Sequence, residues 1–101
     1  MSPAARSTAL LEAEGYAVDT VERWIPGANI RRDLFAMFDL LAIRGAVTLA
    51  VQVTTSDHAA DRRKKITSSS LLGRIRAAGW AIELHGWSKR SNRWQCKREA
   101  L

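Results

Sequence analysis

The chain has 101 residues, 47% of them hydrophobic and 26% charged, a length that fits a single domain over residues 1–101 and excludes separate catalytic and recognition domains. Its net charge of +6 is uneven, because residues 1–57 carry five Lys and Arg against seven Asp and Glu, whereas residues 58–101 carry eleven against three. A single cysteine excludes an internal disulfide, and no apolar run suits a signal peptide or a membrane span, so we expect a soluble, cytoplasmic protein without membrane contact.

The chain begins with a predicted helix and a predicted strand. Ser2 and Pro3 are typical of a helix start, and Gly15 is placed to end a helix over residues 3–14. The segment YAVDTVERW, residues 16–24, alternates apolar and polar side chains and predicts a strand that ends at the turn PGAN.

Two apolar segments in the middle of the chain predict an antiparallel hairpin. FDLLAIR, residues 38–44, and VTLAVQVTT, residues 47–55, are joined by a tight turn around Gly45. We expect this hairpin to form the centre of the hydrophobic core. The apolar side chains on which that expectation rests are Leu41, Ile43, Leu49, Val51 and Val53.

The second half of the chain predicts helices followed by two strands. Ser56 or Asp57 caps a helix over HAADRRKKI, and SSSLLGRIRAAG predicts a second helical segment that ends at Gly79. WAIELHGW alternates as a strand does, and RWQCKR predicts a short edge strand. The order α-β-β-β-α-α-β-β predicts an α/β fold, a mixed central sheet flanked by helices, with a crossover after the helices.

Polar residues on the predicted hairpin are the candidates for a functional site. Asp39 lies near the start of the first hairpin strand, and Gln52 and Thr54 lie near the end of the second, so the hairpin brings all three to one end of the sheet. Polar side chains beside buried strands cost free energy unless they are hydrogen-bonded or serve a function. These residues therefore mark the predicted site.

One pattern in the hairpin consists of Asp39, a spacer of twelve residues and Gln52-Val53-Thr54. This pattern resembles the D…(D/E)-x-K signature of the PD-(D/E)xK nuclease superfamily, as found in archaeal Holliday junction resolvases. The patterns V-E-x-W, R-x-D-L-F and Q-V-T also resemble a group of small phage or prophage proteins assigned to that fold, and they stand here at residues 21–24, 31–35 and 52–54. The resemblance implies a restriction-endonuclease-like α-β-β-β-α-β core and a Mg²⁺- or Mn²⁺-dependent deoxyribonuclease for branched or structured DNA. It also implies a homodimer, because cutting both strands needs two sites.

The resemblance assigns roles to individual residues. Asp39 would be a carboxylate ligand of the metal, and Gln52 would offer a neutral amide oxygen where the family has an acid. Thr54 stands at the position of the family's lysine, which places positive charge beside the attacking water. Lys65 and Arg62 share a face of the following helix and are candidates to restore that charge. The predicted catalytic residues are Asp39, Gln52, Thr54 and Lys65.

Other charged and aromatic residues extend the predicted site. Further metal ligands are expected among Glu12 or Glu14, of which at most one points inward, and among Glu22 and Asp33. The basic second half predicts a surface for nucleic acid, because concentrated positive charge attracts a polyanion. Its candidate residues are Arg62, Arg63, Lys64, Lys65, Lys89, Arg90 and Arg93.

Two questions stay open at the level of sequence. Trp87 and Trp94 flank the basic segment SKRSNR, where they would either stack on bases or pack in the core. The departures at Gln52 and Thr54 are compatible with a nuclease and also with a nucleic-acid-binding or regulatory module of the same fold that has lost catalysis. A third alternative is a structural protein whose apolar sheet edge assembles with itself.

Overall fold

In a computed structural model that describes residues 1–101, helices cover both faces of a five-stranded mixed sheet, which confirms the predicted α/β class. The first half consists of helix α1 (Pro3–Ala13) and strands β1 (Ala17–Thr20), β2 (Arg23–Ile25), β3 (Ile30–Arg32), β4 (Leu40–Arg44) and β5 (Val47–Thr55). The second half consists of a 3₁₀ helix (Ser56–His58), helices α2 (Ala59–Thr67) and α3 (Leu72–Ala77), and strands β6 (Ala81–Arg90) and β7 (Arg93–Ala100).

The strands of the main sheet lie in the order β1-β4-β5-β6-β7. Strand β5 pairs with β6 in parallel, and the other three pairs are antiparallel. The chain leaves β5 through the 3₁₀ helix, α2 and α3 before it returns in β6, so the predicted crossover is confirmed. Strand β7 forms an edge as predicted, although it has eight residues rather than being short.

Local sequence accounts for both ends of α1. The Ser2 side chain accepts a hydrogen bond from the Ala5 amide at 3.1 Å, and Pro3 occupies the first turn, where its missing N–H costs nothing. Gly15 follows the helix with a φ of +93°, a backbone conformation that glycine adopts without steric cost. No helix of the structure has the length and apolar character needed to cross a membrane, and α1 has 11 residues.

The predicted strand over residues 16–24 is wrong as a single element. Strand β1 ends at Thr20, and the chain then leaves the main sheet for β2, which pairs with β3 across the PGAN turn in a separate two-stranded sheet. Gly27 and Asn29 have positive φ values of 88° and 52° and reverse the chain there. Because β2 finds a partner across a short turn, it does not extend β1 along β4.

The core has two parts, one on each face of the sheet. On one face, Leu11 of α1 belongs to a buried cluster that also contains Leu40, Ala42, Leu49 and Val51. On the other face, α2 and α3 contribute to the cluster Met37, Phe38, Ala50, Ile66, Leu72, Ile75 and Ile82. Alternation along β5 explains the division, because successive side chains of a strand point to opposite faces.

The hairpin of β4 and β5 contributes to both clusters, so its predicted place at the centre of the core is confirmed. The prediction that Ile43 is buried is wrong. Leu49 and Val51 are buried, and Leu41 and Val53 are half-buried against the clusters. Ile43 is 54% exposed and belongs to neither cluster.

A buried polar network fastens α1 to β6. Ser7 Oγ accepts a hydrogen bond from Trp87 Nε1 at 2.8 Å and forms another with His85 Nδ1 at 2.8 Å. His85 Nε2 lies 2.9 Å from Glu83 Oε1, which also accepts from Arg98 Nε at 3.0 Å. Burial lowers the pKa of His85, so its imidazole is neutral at pH 7. Because Ser7 and His85 are 0% exposed, this Ser-His-Glu array is closed to substrates and has a structural role.

Truncation of Leu49 should destabilise the protein strongly, whereas truncation of Ile43 should hardly change its stability. Leu49→Ala should lower the free energy of unfolding by about 2–5 kcal/mol, because it removes buried carbon atoms and leaves a cavity. Ile43→Ala removes the same number of atoms from an exposed position and should change it by less than about 0.5 kcal/mol. Urea unfolding at equilibrium measures both, and equal losses would show that the strand register is wrong.

Candidate metal centre

A cavity of about 920 Å³ opens at the end of the sheet where β4 begins and β5 ends. One side of α1, from Pro3 to Glu12, forms one wall, and the β2–β3 hairpin with the residues that flank it forms another. Its polar lining side chains are Ser2, Thr8, Glu12, Thr20, Glu22, Arg31, Asp33, Asp39, Gln52, Thr54, Thr55 and Arg62. The cavity therefore gathers most of the predicted catalytic and metal-binding residues.

Three carboxylates form the centre of this cavity. One oxygen each from Glu22, Asp33 and Asp39 can be chosen so that all three lie within 4.8 Å of one another. The β2–β3 hairpin causes this convergence, because Glu22 precedes Arg23 and Asp33 follows Arg32, and these two arginines are paired in the hairpin. The Val21 amide donates to the Asp39 carbonyl oxygen at 2.9 Å and holds the hairpin beside β4.

Asp39 has the most perturbed carboxyl group of the three. Its Oδ2 accepts hydrogen bonds from the Val53 amide at 2.8 Å and from Gln52 Nε2 at 2.9 Å. Burial raises the pKa of Asp39 to about 6; the nearby Asp33 and Glu22 raise it as well, and the Val53 hydrogen bond opposes the shift. A divalent cation among the three carboxylates would offset the cost of burying a charged Asp39 and would reduce the repulsion between the carboxylates. Carboxylate oxygens are suitable ligands for Mg²⁺.

Gln52 contacts Asp39 through its amide nitrogen. The nitrogen also lies 3.3 Å from the Val53 carbonyl oxygen, whereas the buried Oε1 has no hydrogen-bond partner. The sequence predicts that Gln52 binds the metal through that oxygen. In the structure, Gln52 instead donates a hydrogen bond from Nε2 to Asp39 and orients its carboxylate. A buried acceptor without a partner costs about 1–3 kcal/mol, so Oε1 marks a place that favours a polar ligand.

The structure separates the two cations that the sequence proposes for the missing lysine. Arg62 of α2 lines the cavity together with Thr54, which is buried. Lys65, one turn further along α2, is exposed and does not line the cavity. Arg31 also lines the cavity, and its Nη1 donates to Glu22 Oε2 at 3.4 Å. Two arginines line the cavity, and Arg62 is the one that is not hydrogen-bonded to Glu22.

The first helix contributes one acid to the cavity. Glu12 is exposed and lines it, whereas Glu14 accepts a hydrogen bond from Arg98 of β7. The expectation that only one of the two points inward is thus satisfied by Glu12. Arg31 was not expected at this site, and the signal that could have identified it is the PGAN turn with an isoleucine on each side, which predicts the β2–β3 hairpin.

The basic residues outside the cavity divide into engaged and free side chains. Arg63 makes two hydrogen bonds to the Glu99 carboxylate of β7, so its charge is paired. Lys64 and Lys65 of α2 are exposed, and so are Lys89, Arg90 and Arg93 around the β6–β7 turn. Binding of nucleic acid by these residues stays a prediction.

The two tryptophans left open by the sequence have different environments. Trp87 is buried and hydrogen-bonded to Ser7, so it packs in the core. Trp94 is 40% exposed, but the Arg6 guanidinium covers its ring at 4.2 Å from the centroid. Trp87 is therefore closed to a base, and one face of Trp94 is already occupied by Arg6.

The fold and the site together define a small α/β protein with an acidic cavity at one end of a mixed sheet. Comparison with known proteins found no family model, no curated protein and no solved structure that matches this chain.

Proposed function

We propose that the protein is a metal-dependent endonuclease of the PD-(D/E)xK type that hydrolyses phosphodiester bonds in branched or otherwise structured DNA. One observation carries the proposal: Glu22, Asp33 and Asp39 meet in a cavity that also contains Gln52, Thr54 and Arg62. These are the residue types that metal-assisted phosphoryl transfer requires, namely clustered carboxylates with a cation beside them.

The order of elements supports the proposal. Helix α1, strands β1, β4 and β5, helix α2 and strand β6 occur in the order α-β-β-β-α-β, with the β2–β3 hairpin inserted after the first strand and α3 inserted before β6. Asp39 directly precedes β4, and Gln52 lies on β5. In the proposed assignment, these two strands are the motif strands of the superfamily. A homodimer is part of the same proposal, and analytical ultracentrifugation would test it.

Each residue has a role in the proposed reaction. When bound, Mg²⁺ or Mn²⁺ would polarise a phosphoryl oxygen and favour ionisation of the attacking water. Glu22, Asp33 and Asp39 would hold the cation, and Gln52 with the Val53 amide keeps the Asp39 carboxylate in place. Arg62 would stabilise the negative charge that develops on the phosphate.

A nucleic-acid-binding module without catalysis is the second candidate function, and Thr54 favours it. This neutral, buried side chain occupies the place of the superfamily's lysine, so β5 itself supplies no positive charge to the cavity. The two functions share the fold and the exposed basic residues. They differ in whether bound DNA is cut.

The proposed activity predicts metal-dependent cleavage by the purified protein. Supercoiled, linear and four-way-junction DNA should be incubated with Mg²⁺, Mn²⁺, Ca²⁺ or a chelator, and the products resolved on denaturing gels. We expect strand cleavage with Mg²⁺ or Mn²⁺, fastest on the junction, and none with the chelator. Binding of DNA without cleavage in any metal would favour the binding module, and absence of both would overturn the proposal.

A further inference from the structure

The β2–β3 hairpin carries an aromatic side chain that packing does not explain. Five of its six strand residues are exposed, and Trp24 is 52% exposed although tryptophan is usually well buried. A large exposed ring of this kind commonly serves recognition, because it combines a flat apolar surface with little conformational freedom to lose.

The hairpin register places Trp24 beside the cavity. Trp24 pairs directly with Arg31, and side chains of directly opposed residues lie on the same face of an antiparallel pair, about 5 Å apart. Arg31 lines the cavity and contacts Glu22 of the carboxylate cluster. The ring of Trp24 is therefore a cross-strand neighbour of the cavity wall.

The surroundings of Trp24 are suited to a nucleic acid. Arg31 shares the face of Trp24, whereas Arg23 and Arg32 are paired with each other on the other face of the hairpin, and neither strand carries an acid. Guanidinium groups attract and position phosphates, and an exposed aromatic ring stacks on bases of any sequence. Trp94 differs from Trp24, because the Arg6 guanidinium already occupies one face of its ring.

We propose that Trp24 stacks on an unpaired base of the DNA substrate, next to the phosphate that enters the carboxylate cavity. This inference rests on the proposed nuclease function and narrows the class of DNA on which the protein acts. Bases inside a duplex are already stacked on their neighbours, so only a base that has left the helix can offer its face to Trp24. The substrate class is accordingly DNA with unpaired nucleotides beside the scissile bond, as in a bubble, a flap or a branch point.

The test compares two DNAs and three variants. One probe is a fully paired duplex, and the other is the same duplex with three unpaired nucleotides, one of them 2-aminopurine; affinities are measured by fluorescence anisotropy in a chelating buffer that prevents cleavage. The variants are Trp24→Ala, Trp24→Phe and Ile30→Ala. Ile30 is the matched control, because it is also 52% exposed on the same hairpin but pairs with Ile25 and so lies on the opposite face.

We expect the wild-type protein to bind the unpaired probe about tenfold more tightly than the duplex and to quench its 2-aminopurine fluorescence. Trp24→Ala should remove the preference and the quenching without changing the affinity for the duplex. Trp24→Phe should retain most of both, and Ile30→Ala should retain both in full. A preference that survives Trp24→Ala, or equal losses on both DNAs, would overturn the inference and leave the proposed function standing. Absence of DNA binding by the wild-type protein would overturn the proposed function itself.

Discussion

Replacement of Asp39 by asparagine should reduce Mg²⁺- or Mn²⁺-dependent cleavage of DNA by at least about a thousandfold. Asp39 directly precedes β4, and two residues of β5 hold its carboxylate in place, through the Val53 amide and the Gln52 side chain. Asparagine has almost the same shape but carries no charge, so the cluster would lose one of its three anionic ligands. Affinity for DNA should stay unchanged or increase, because a negative charge near the phosphates is removed.

The same substitution should stabilise the folded protein at neutral pH in the absence of metal. The pKa of Asp39 in the folded state, about 6, is above the value of ~3.9 for an unfolded chain, so the fold prefers the protonated form. Stability from this group is therefore greatest below pH ~4 and is lost as the pH rises through about 6. Because Asp39 is partly exposed, solvent screening limits the gain from Asp39→Asn to about 1–2 kcal/mol above pH 7.

Both consequences can be measured with one matched control. Cleavage is assayed on junction DNA, and urea unfolding is followed at pH 4 and pH 8 in a chelating buffer. Asp19→Asn removes an exposed carboxylate outside the cavity and should alter neither result. Cleavage that survives Asp39→Asn would remove the carboxylate cluster from the mechanism. A stability difference that is the same at both pH values would contradict the raised pKa.

Replacement of Arg62 by alanine should slow cleavage of bound DNA by about 10²–10³. Arg62 lines the cavity and is the cation there that is not paired with Glu22, so the developing charge on the phosphate would lose its main counterpart. Single-turnover rates with saturating protein separate this effect from weaker binding. Lys65→Ala is the matched control, because Lys65 lies on the same helix, is exposed and does not line the cavity. It should lower the affinity for DNA slightly and leave the cleavage rate of bound DNA unchanged.

A second substitution tests whether the position of the charge matters. Thr54→Lys in the Arg62→Ala background places a cation on β5, two residues after Gln52, where the superfamily has its lysine. We expect it to recover at least about tenfold of the lost rate. A larger loss from Lys65→Ala than from Arg62→Ala would show that the cation comes from the exposed face of α2. Failure of every variant to cut, together with intact binding of DNA, would favour the module without catalysis.

Local patterns in the sequence were sufficient to predict much of the fold. The Ser2-Pro3 start and Gly15 stop of α1 are short-range features, because capping depends on neighbouring residues. The apolar runs of β4 and β5, with Gly45 between them, specify a hairpin for the same reason. The long helical segment after β5 made a crossover and a parallel β6 the natural continuation. An acid among apolar residues identified Asp39 as a candidate.

Only the tertiary structure decided which candidates meet. Glu22 and Asp33 reach Asp39 because the β2–β3 hairpin lies outside the main sheet and beside the start of β4. The PGAN turn indicates the hairpin, but no local pattern indicates where the hairpin packs. Arg62 and Lys65 share a helical face in the sequence, but only the position of α2 on the sheet shows that Arg62 borders the cavity.

Burial likewise depended on the assembled sheet. Ile43 is apolar and lies on a central strand, but neither buried cluster includes it, so it stays exposed. His85 occupies an alternating position that resembles a solvent-facing one, but α1 covers that face and buries it against Ser7. The sequence by itself determined the elements, the hairpin and the candidate residues, because these depend on local periodicity and chain reversal. The tertiary structure decided the carboxylate cluster and the position of its cation, because these depend on which surfaces pack together.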